Sequence, residues 1–322
     1  MSNDIEAKKL NIKHIGSDRL YQSLGFREHR ILKPSRENKV LFYVIPLGIL
    51  VVIVFYPLIY SLVNSFRKYN FIYPEAGSPF VWFSNFSAVL KDAGFFNAIQ
   101  NTVIFTICSM VIELILALLL VALFNKIKFG SVALRSIILI PMVVSPAVSA
   151  IIWRWMYNPQ LGIINYLLSK LGVGEISWLG SANIALYSLI IVDVWQWTPF
   201  IFLIIGAGFL SLPKEPFEAA MVDGLSKFQE LRDIVFPLLY PSIMMAMLLK
   251  FIYAVQVFDY PFIMTSGGPG IQTETINLYI YRRLFMMSDV GMASAASWLF
   301  LIIVIAVSQV FVVSIMKSER WR

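Results

Sequence analysis

Charge, cysteine and histidine are what this 322-residue sequence has little of: 14% of its residues are charged, one is cysteine and two are histidine. Soluble domains carry about 25% charged residues. The shortfall excludes an ordinary soluble enzyme, a disordered chain and a nucleic-acid binder, for which the net charge of +7 would have to form a basic patch on a soluble fold. A single cysteine, Cys108, excludes an intrachain disulfide and a Cys-rich metal centre; in its apolar setting it reads as a small buried hydrophobe. His14 and His29 both fall in the first 40 residues, so no Ser-His pair or metal cluster can be assembled from the rest, and no catalytic residue or metal ligand is assigned. No G-x-x-x-x-G-K-[ST] phosphate loop occurs, which leaves the chain without a nucleotide site and without a cofactor of its own.

What is there is hydrophobic: 58% of residues are apolar and the mean hydropathy is +0.74. Crossing a bilayer takes about 20 mostly apolar residues. Six segments qualify, 41–63, 102–124, 134–156, 184–212, 236–264 and 293–316, which predicts an all-α membrane protein with six transmembrane helices in the lipid bilayer. Pro199, Pro241 and Pro261 are expected bending points in the two long segments. Residues 1–40 are polar, with nine Lys/Arg and no cleavable apolar core, and read as a cytoplasmic tail preceding a permease-like domain over 41–322. With the N-terminus inside, 18 Lys/Arg face the cytoplasm and seven face outward, which predicts both termini on the cytoplasmic side.

The cytoplasmic segment 213–237 is the most informative loop. Pro213 and Pro216 suit a helix start, Glu215 and Glu218 suit its positive end, and a second short helix is expected over 226–235. Ala220 and Gly224, four apart, are expected to share a face and leave a shallow notch. Such a hairpin could dock into a partner's groove or lie on the membrane surface, and the residue pattern alone leaves both open.

Glu218-Ala219-Ala220, three residues, Gly224, nine residues, Ile234 and then Pro237 resembles the EAA loop of binding-protein-dependent ABC importers; Phe236 stands where the pattern has leucine. Trp195-Gln196-Trp197-Thr198-Pro199 and Thr265-Ser266-Gly267-Gly268-Pro269, followed by Thr275, Tyr281 and Phe285, are similar to the maltose-type and glycerol-phosphate-type branch. The resemblance implies a type I importer permease in the bacterial inner membrane. It further implies a second homologous permease subunit, two copies of an ATPase subunit that bind ATP and Mg, an extracytoplasmic solute-binding protein and a saccharide substrate. Glu218, Ala219, Ala220 and Gly224 would form the coupling helix. The sugar contacts would fall on Gln196, Trp197 and Phe200 in the fourth span and on Lys250, Tyr253, Ala254 and Val257 in the fifth. The Gly267-Gly268-Pro269 turn reads as a flexible helix stop, and the resemblance adds that its loop faces the binding protein.

Charges inside the membrane each need a reason, since insertion costs about 2.5–3.5 kcal/mol per charge. Glu113 and Lys250 fall mid-span; Asp193, Asp259 and Arg154 fall nearer the outer surface, where solvation or mutual pairing is expected. Lys250 sits about 21 Å from either end of its segment by helical rise, too far to reach the headgroups. It is expected either to bind a substrate carboxylate, which would make the cargo an acidic (uronate) oligosaccharide, or to pair with Glu113. An ion-gradient-driven secondary transporter using Glu113 and Asp193 as a relay is the rival function; it would have no use for the 213–237 loop.

Overall fold

The computed structural model describes residues 36–73, 77–124 and 131–319. The tail 1–35 and part of the 125–133 hairpin lie outside the described residues. The chain divides into two units, 1–59 and 60–322. The described part of the first is the N-terminal portion of helix α1 (Arg36–Ser65), whose side chains from Tyr43 to Ile59 are exposed and almost wholly apolar, the composition of a lipid-facing helix.

The second unit is helical, and among the described residues it contains two isolated bridges, Arg67 with Phe80 and Asn70 with Asp289, but no strand. Its helices are α2 (Ser84–Val89), α3 (Ala93–Phe124), α4 (Ser131–Val143), α5 (Pro146–Met156), α6 (Ile163–Lys170), α7 (Ala185–Leu210), α8 (Glu215–Val222), α9 (Lys227–Glu230), α10 (Phe236–Val255), α11 (Ile276–Tyr281) and α12 (Val290–Glu319). Three single π-helical turns occur: Leu231–Val235 joins α9 to α10, Pro261–Thr265 lies in the connection after α10, and Arg282–Met286 follows α11. Helices α3 and α7 pack most extensively on each other, and α10 lies against both and against α12. One apolar core joins Ala117, Val121 and Phe124 of α3 to Ile201 and Ile205 of α7 and Leu239 of α10; a second gathers Phe105, Leu189, Val192 and Tyr260. In lipid, burial of apolar surface does not drive helices together, so these contacts hold through close packing and the polar links described below.

Among the described residues, five helices are long and apolar enough to cross a membrane, and α4 with α5 make a sixth if counted as one broken span. The six expected segments are all represented, but the third is not a continuous helix. Its two halves meet at 99°. Pro146 lacks an amide hydrogen and disfavours helical geometry at the residue before it, and Ser145 is extended (φ −60°, ψ 139°). The fifth expected segment also stops short: α10 ends at Val255, the chain turns through Gln256–Phe258, and Pro261 opens a π turn. Pro199 and Pro241 lie inside continuous helices.

Candidate functional site

The broken third span organises the interior. With α4 ended at Val143, the carbonyl of Val144 has no helical partner, and Gln196 of α7 supplies one: its Nε2 donates to Val144 O at 2.6 Å. The other end of the same amide accepts from the Tyr260 hydroxyl at 2.8 Å. Both polar atoms of Gln196 are thereby occupied, and its side chain is buried. This is how irregular backbone at membrane depth is tolerated: the freed groups are satisfied inside protein.

Beside that link lies a cavity of about 220 Å³. Pro146, Asp193, Trp197 and Tyr253 form one part of its wall, and Gln256, Val257, Phe258, Asp259 and Tyr260 the rest. The rings of Trp197 and Tyr253 stack 5.0 Å apart at 23°, and Phe200 meets both edge-on at 5.9 and 6.0 Å. Tyr253 is half exposed. Trp197 backs one face of the half-exposed Tyr253 ring, and an aromatic ring beside a few polar groups suits a ligand with apolar C–H faces and hydroxyl edges. The volume is below the roughly 300–1,000 Å³ of a full ligand pocket, so this conformation presents a narrow cleft.

Lys250 stands behind the wall and is wholly buried. Its Nζ donates to Asp193 Oδ2 at 2.7 Å and lies 2.8 Å from Glu113 Oε1. The second contact lacks hydrogen-bond geometry, so it is an ion pair by proximity, and neither Glu113 oxygen has a hydrogen-bond partner among the described residues. The ammonium also sits 5.5 Å from the centre of the Trp197 ring. One lysine thus ties together α3, α7 and α10, and touches the residue that begins the aromatic platform.

Of the seven sugar-contact residues expected from sequence, Trp197, Tyr253 and Val257 line the cavity. Gln196, Lys250 and Ala254 are buried away from it, and Phe200 supports it through the two rings. Gln256, Asp259 and Tyr260 were missed as cavity residues; the signal was the pair of breaks that Pro146 and Pro261 announce.

At the far end of α7 the expected hairpin is present. Helix α8 carries Glu218, Ala219 and Ala220, with Ala220 buried and Met221 and Val222 exposed by 70% and 87%. Gly224 does not share a helical face with Ala220. Helix α8 ends at Val222, and Gly224 adopts φ +70°. Leu225 N donates to Ala220 O at 3.0 Å and Gly224 N to Met221 O at 3.3 Å, the paired bonds of a Schellman cap, which needs a left-handed residue at this position. A Cβ there would meet nothing within 4 Å, so glycine is required for its backbone and not for space. The expected second helix follows as α9 and the π turn, started by a capping box between Ser226 and Gln229.

The loop after the fifth span is stitched down, contrary to a flexible stop. Thr273 N donates to Gly267 O at 3.1 Å, the Thr265 and Thr273 hydroxyls bond at 2.7 Å, and Arg282 donates to Ser266 O. Gly267 has φ +82°, and a Cβ on it would press on Arg282 and Leu278 at 3.1 and 3.2 Å. Asn101 of α3 donates to the carbonyls of Ile271 and Glu274, while Arg282 bonds Glu274 and Arg283 bonds Asp92. Burial raises the Glu274 carboxyl despite Arg282. Burial also opposes ionisation of Asp92, but the Tyr279 hydroxyl, the Gly94 amide and Arg283 outweigh it and hold its carboxyl below the usual range.

Residues 102–318 match the model of the family described as binding-protein-dependent transport system inner membrane component. The chain belongs to that family. It is 36% identical over 260 residues to the trehalose/maltose transport system permease protein MalF of Thermococcus litoralis, spanning 81% of this chain and 85% of that one. It is 33% identical over 277 residues to the sn-glycerol-3-phosphate transport system permease protein UgpA of Agrobacterium fabrum, spanning 84% and 93%. Its fold is similar to a chain of the crystal structure of a bacterial alginate ABC transporter in complex with alginate pentasaccharide-bound periplasmic protein. That match has a TM-score of 0.73 at 19% identity, over 88% of this chain and 96% of the other. The maltose-type and glycerol-phosphate-type resemblance therefore holds, and this ABC permease is a multi-pass transport subunit of the sugar-importer kind.

Proposed function

We propose that this permease forms half of a translocation pathway through which a saccharide crosses the bacterial inner membrane by alternating access, with both termini in the cytoplasm. The observation that carries the reading is the Trp197–Tyr253 ring pair in a mainly apolar cleft that also holds Asp193, Gln256 and Asp259. The cleft stands on the same helices, α7 and α10, that flank the exposed α8–α9 hairpin. In this reading residues 1–40 are a cytoplasmic tail and 41–322 the permease domain. Glu218, Ala219, Ala220 and Gly224 form the knob that seats in an ATPase subunit, of which two copies bind ATP and Mg. A second permease subunit completes the pathway, and an extracytoplasmic solute-binding protein delivers the sugar at the Thr265–Thr275 side. A rigid knob between two spans turns closure of the ATPase pair into movement of those spans.

An acidic oligosaccharide read by Lys250 requires a substrate carboxylate to displace Asp193 from the ammonium, because both available carboxylates already hold it. The geometry supports best a saccharide read through ring faces and hydroxyls. The test is uptake by proteoliposomes containing the assembled complex, with ion gradients collapsed. Uptake that needs ATP, falls at least tenfold in Trp197→Ala and vanishes when the partner ATPase is inactivated is expected; uptake without ATP would overturn the reading.

A further inference from the structure

The polar side chains around the cleft differ in what hydrogen-bonding capacity they have left. Gln196 is occupied at both ends, and Asp193 Oδ2 is held by Lys250. Asp259 and Gln256 make no side-chain hydrogen bond or ion pair to any described residue, and both line the cleft. They reach it because α10 ends at Val255, so the turn that follows lays consecutive residues, Gln256 to Tyr260, along the wall. No lysine or arginine is among the lining residues. The charged residues that line the cleft, Asp193 and Asp259, are both acidic, and Lys250 behind the wall is already shared by Asp193 and Glu113.

We propose that Asp259 and Gln256 are specificity residues of this pathway: they read the hydroxyls of a sugar that meets the half-exposed Tyr253 ring, which Trp197 backs, and the carboxylate character of the cleft admits uncharged saccharides while rejecting acidic ones. The inference rests on the saccharide-import reading and sharpens its substrate class. A carboxylate is an acceptor only and suits adjacent sugar hydroxyls, both of which can donate. The Gln256 amide can serve a third hydroxyl in either sense. A uronate brings a like charge into a partly dry cleft, where repulsion is much stronger than in water. Discrimination here comes from a repulsive element as much as from attraction.

The test uses proteoliposomes of the whole complex with its binding protein and ATP, offered a panel of neutral disaccharides and trisaccharides and a matched panel of uronate oligosaccharides. The expected result is uptake of at least one neutral sugar and of no uronate, with neutral uptake reduced tenfold or more in Asp259→Asn and in Gln256→Ala. Gln256 is exposed at the end of α10, so its variant keeps the test open if Asp259→Asn does not assemble. Uronate uptake at a rate comparable to the neutral sugars would overturn the inference while leaving saccharide import standing. So would neutral uptake within twofold of wild type in the assembled variants. Uptake of neither panel would overturn it through the underlying reading.

Discussion

Lys250 and Lys227 make ion pairs of nearly the same length in opposite surroundings. Lys250 lies 2.7 Å from Asp193 and 2.8 Å from Glu113 with its side chain wholly buried. Lys227 lies 2.6 Å from Glu230 on the α8–α9 hairpin, its side chain 90% exposed. Length therefore says nothing about what either pair does. In the membrane interior the three charges have no water to return to, so they hold α3, α7 and α10 in one arrangement as long as the site stays dry. At the hairpin the same contact competes with solvent and salt at every moment. The interior triad is suited to distinguish two conformations of the spans; the surface pair is suited only to decorate a hairpin whose shape is set by its backbone.

The largest effect should come from removing the lysine. Lys250→Met leaves two carboxylates buried without a cation, a loss of about 3–5 kcal/mol for one broken buried pair. The protein should fail to assemble or melt far earlier in detergent. Adding Glu113→Gln and Asp193→Asn removes the uncompensated charge and should restore thermal stability. A lone Lys250→Met variant that melts with wild type would mean that the site is wet, and the contrast with Lys227 would collapse. Assembly restored by the triple variant, together with continued sugar uptake, would also exclude Lys250 as a direct reader of substrate.

A smaller effect is expected at Gly224. A β-branched side chain at φ +70° costs about 1–2 kcal/mol, and asparagine tolerates that region better. Gly224→Val should uncouple ATP hydrolysis from transport while the spans stay folded, and Gly224→Asn should retain most of the coupling. Equal loss in both would show that the partner's groove rejects any side chain, making space at the docked surface decisive and backbone shape secondary.

The six apolar segments and the hairpin were legible because length, hydropathy and the EAA spacing are local properties of the chain. The rest depended on where helices end. Hydropathy runs unbroken through Val144–Ser145, yet the proline that follows breaks the span, and that break created the need which Gln196 fills. The same blindness carried the fifth span past Val255, where the chain turns at Gln256. Lys250 with Glu113 was foreseen as one alternative because both are mid-span. Asp193 was placed nearer the outer surface, since sequence gives depth along each helix but not how helices cross. The Ala220–Gly224 notch failed for a related reason: helical spacing was extended one turn beyond the helix.

The outer network lies between the two extremes, with the side chains of Asp92 and Arg283 20% and 23% exposed. Because the folded Asp92 carboxyl is held below its ordinary value, its contribution is complete above the unfolded pKa of about 3.9 and is lost as pH falls through the lowered folded value. Glu274 has the opposite sign: raised by burial, it favours the folded loop most at low pH and less as pH rises through its folded value. Asp92→Asn should weaken the attachment of residues 279–283 by roughly 1–2 kcal/mol, discounted from a fully buried charged hydrogen bond. Amide exchange should then quicken there and not in α7. Unchanged exchange would place this network with the hairpin pair as surface decoration.

The smallest effect is expected from Lys227→Ala. Two unit charges in high dielectric attract weakly, and an exposed helical pair contributes about 0.3–0.5 kcal/mol after the entropy of ordering two long side chains. Residues 226–229 keep their start without it, because Ser226 and Gln229 satisfy each other's backbone amides independently of the lysine. Lys227→Ala should therefore leave the melting temperature within measurement error at 150 mM salt, and the small difference that remains at low salt should vanish as salt is raised. A loss above about 1 kcal/mol that persists at high salt would mean that Glu230, 22% exposed beside Leu231, sits in a drier groove than its partner's exposure indicates. The hairpin pair would then belong with the Lys250 triad, as a second charge lock at the opposite end of the same spans.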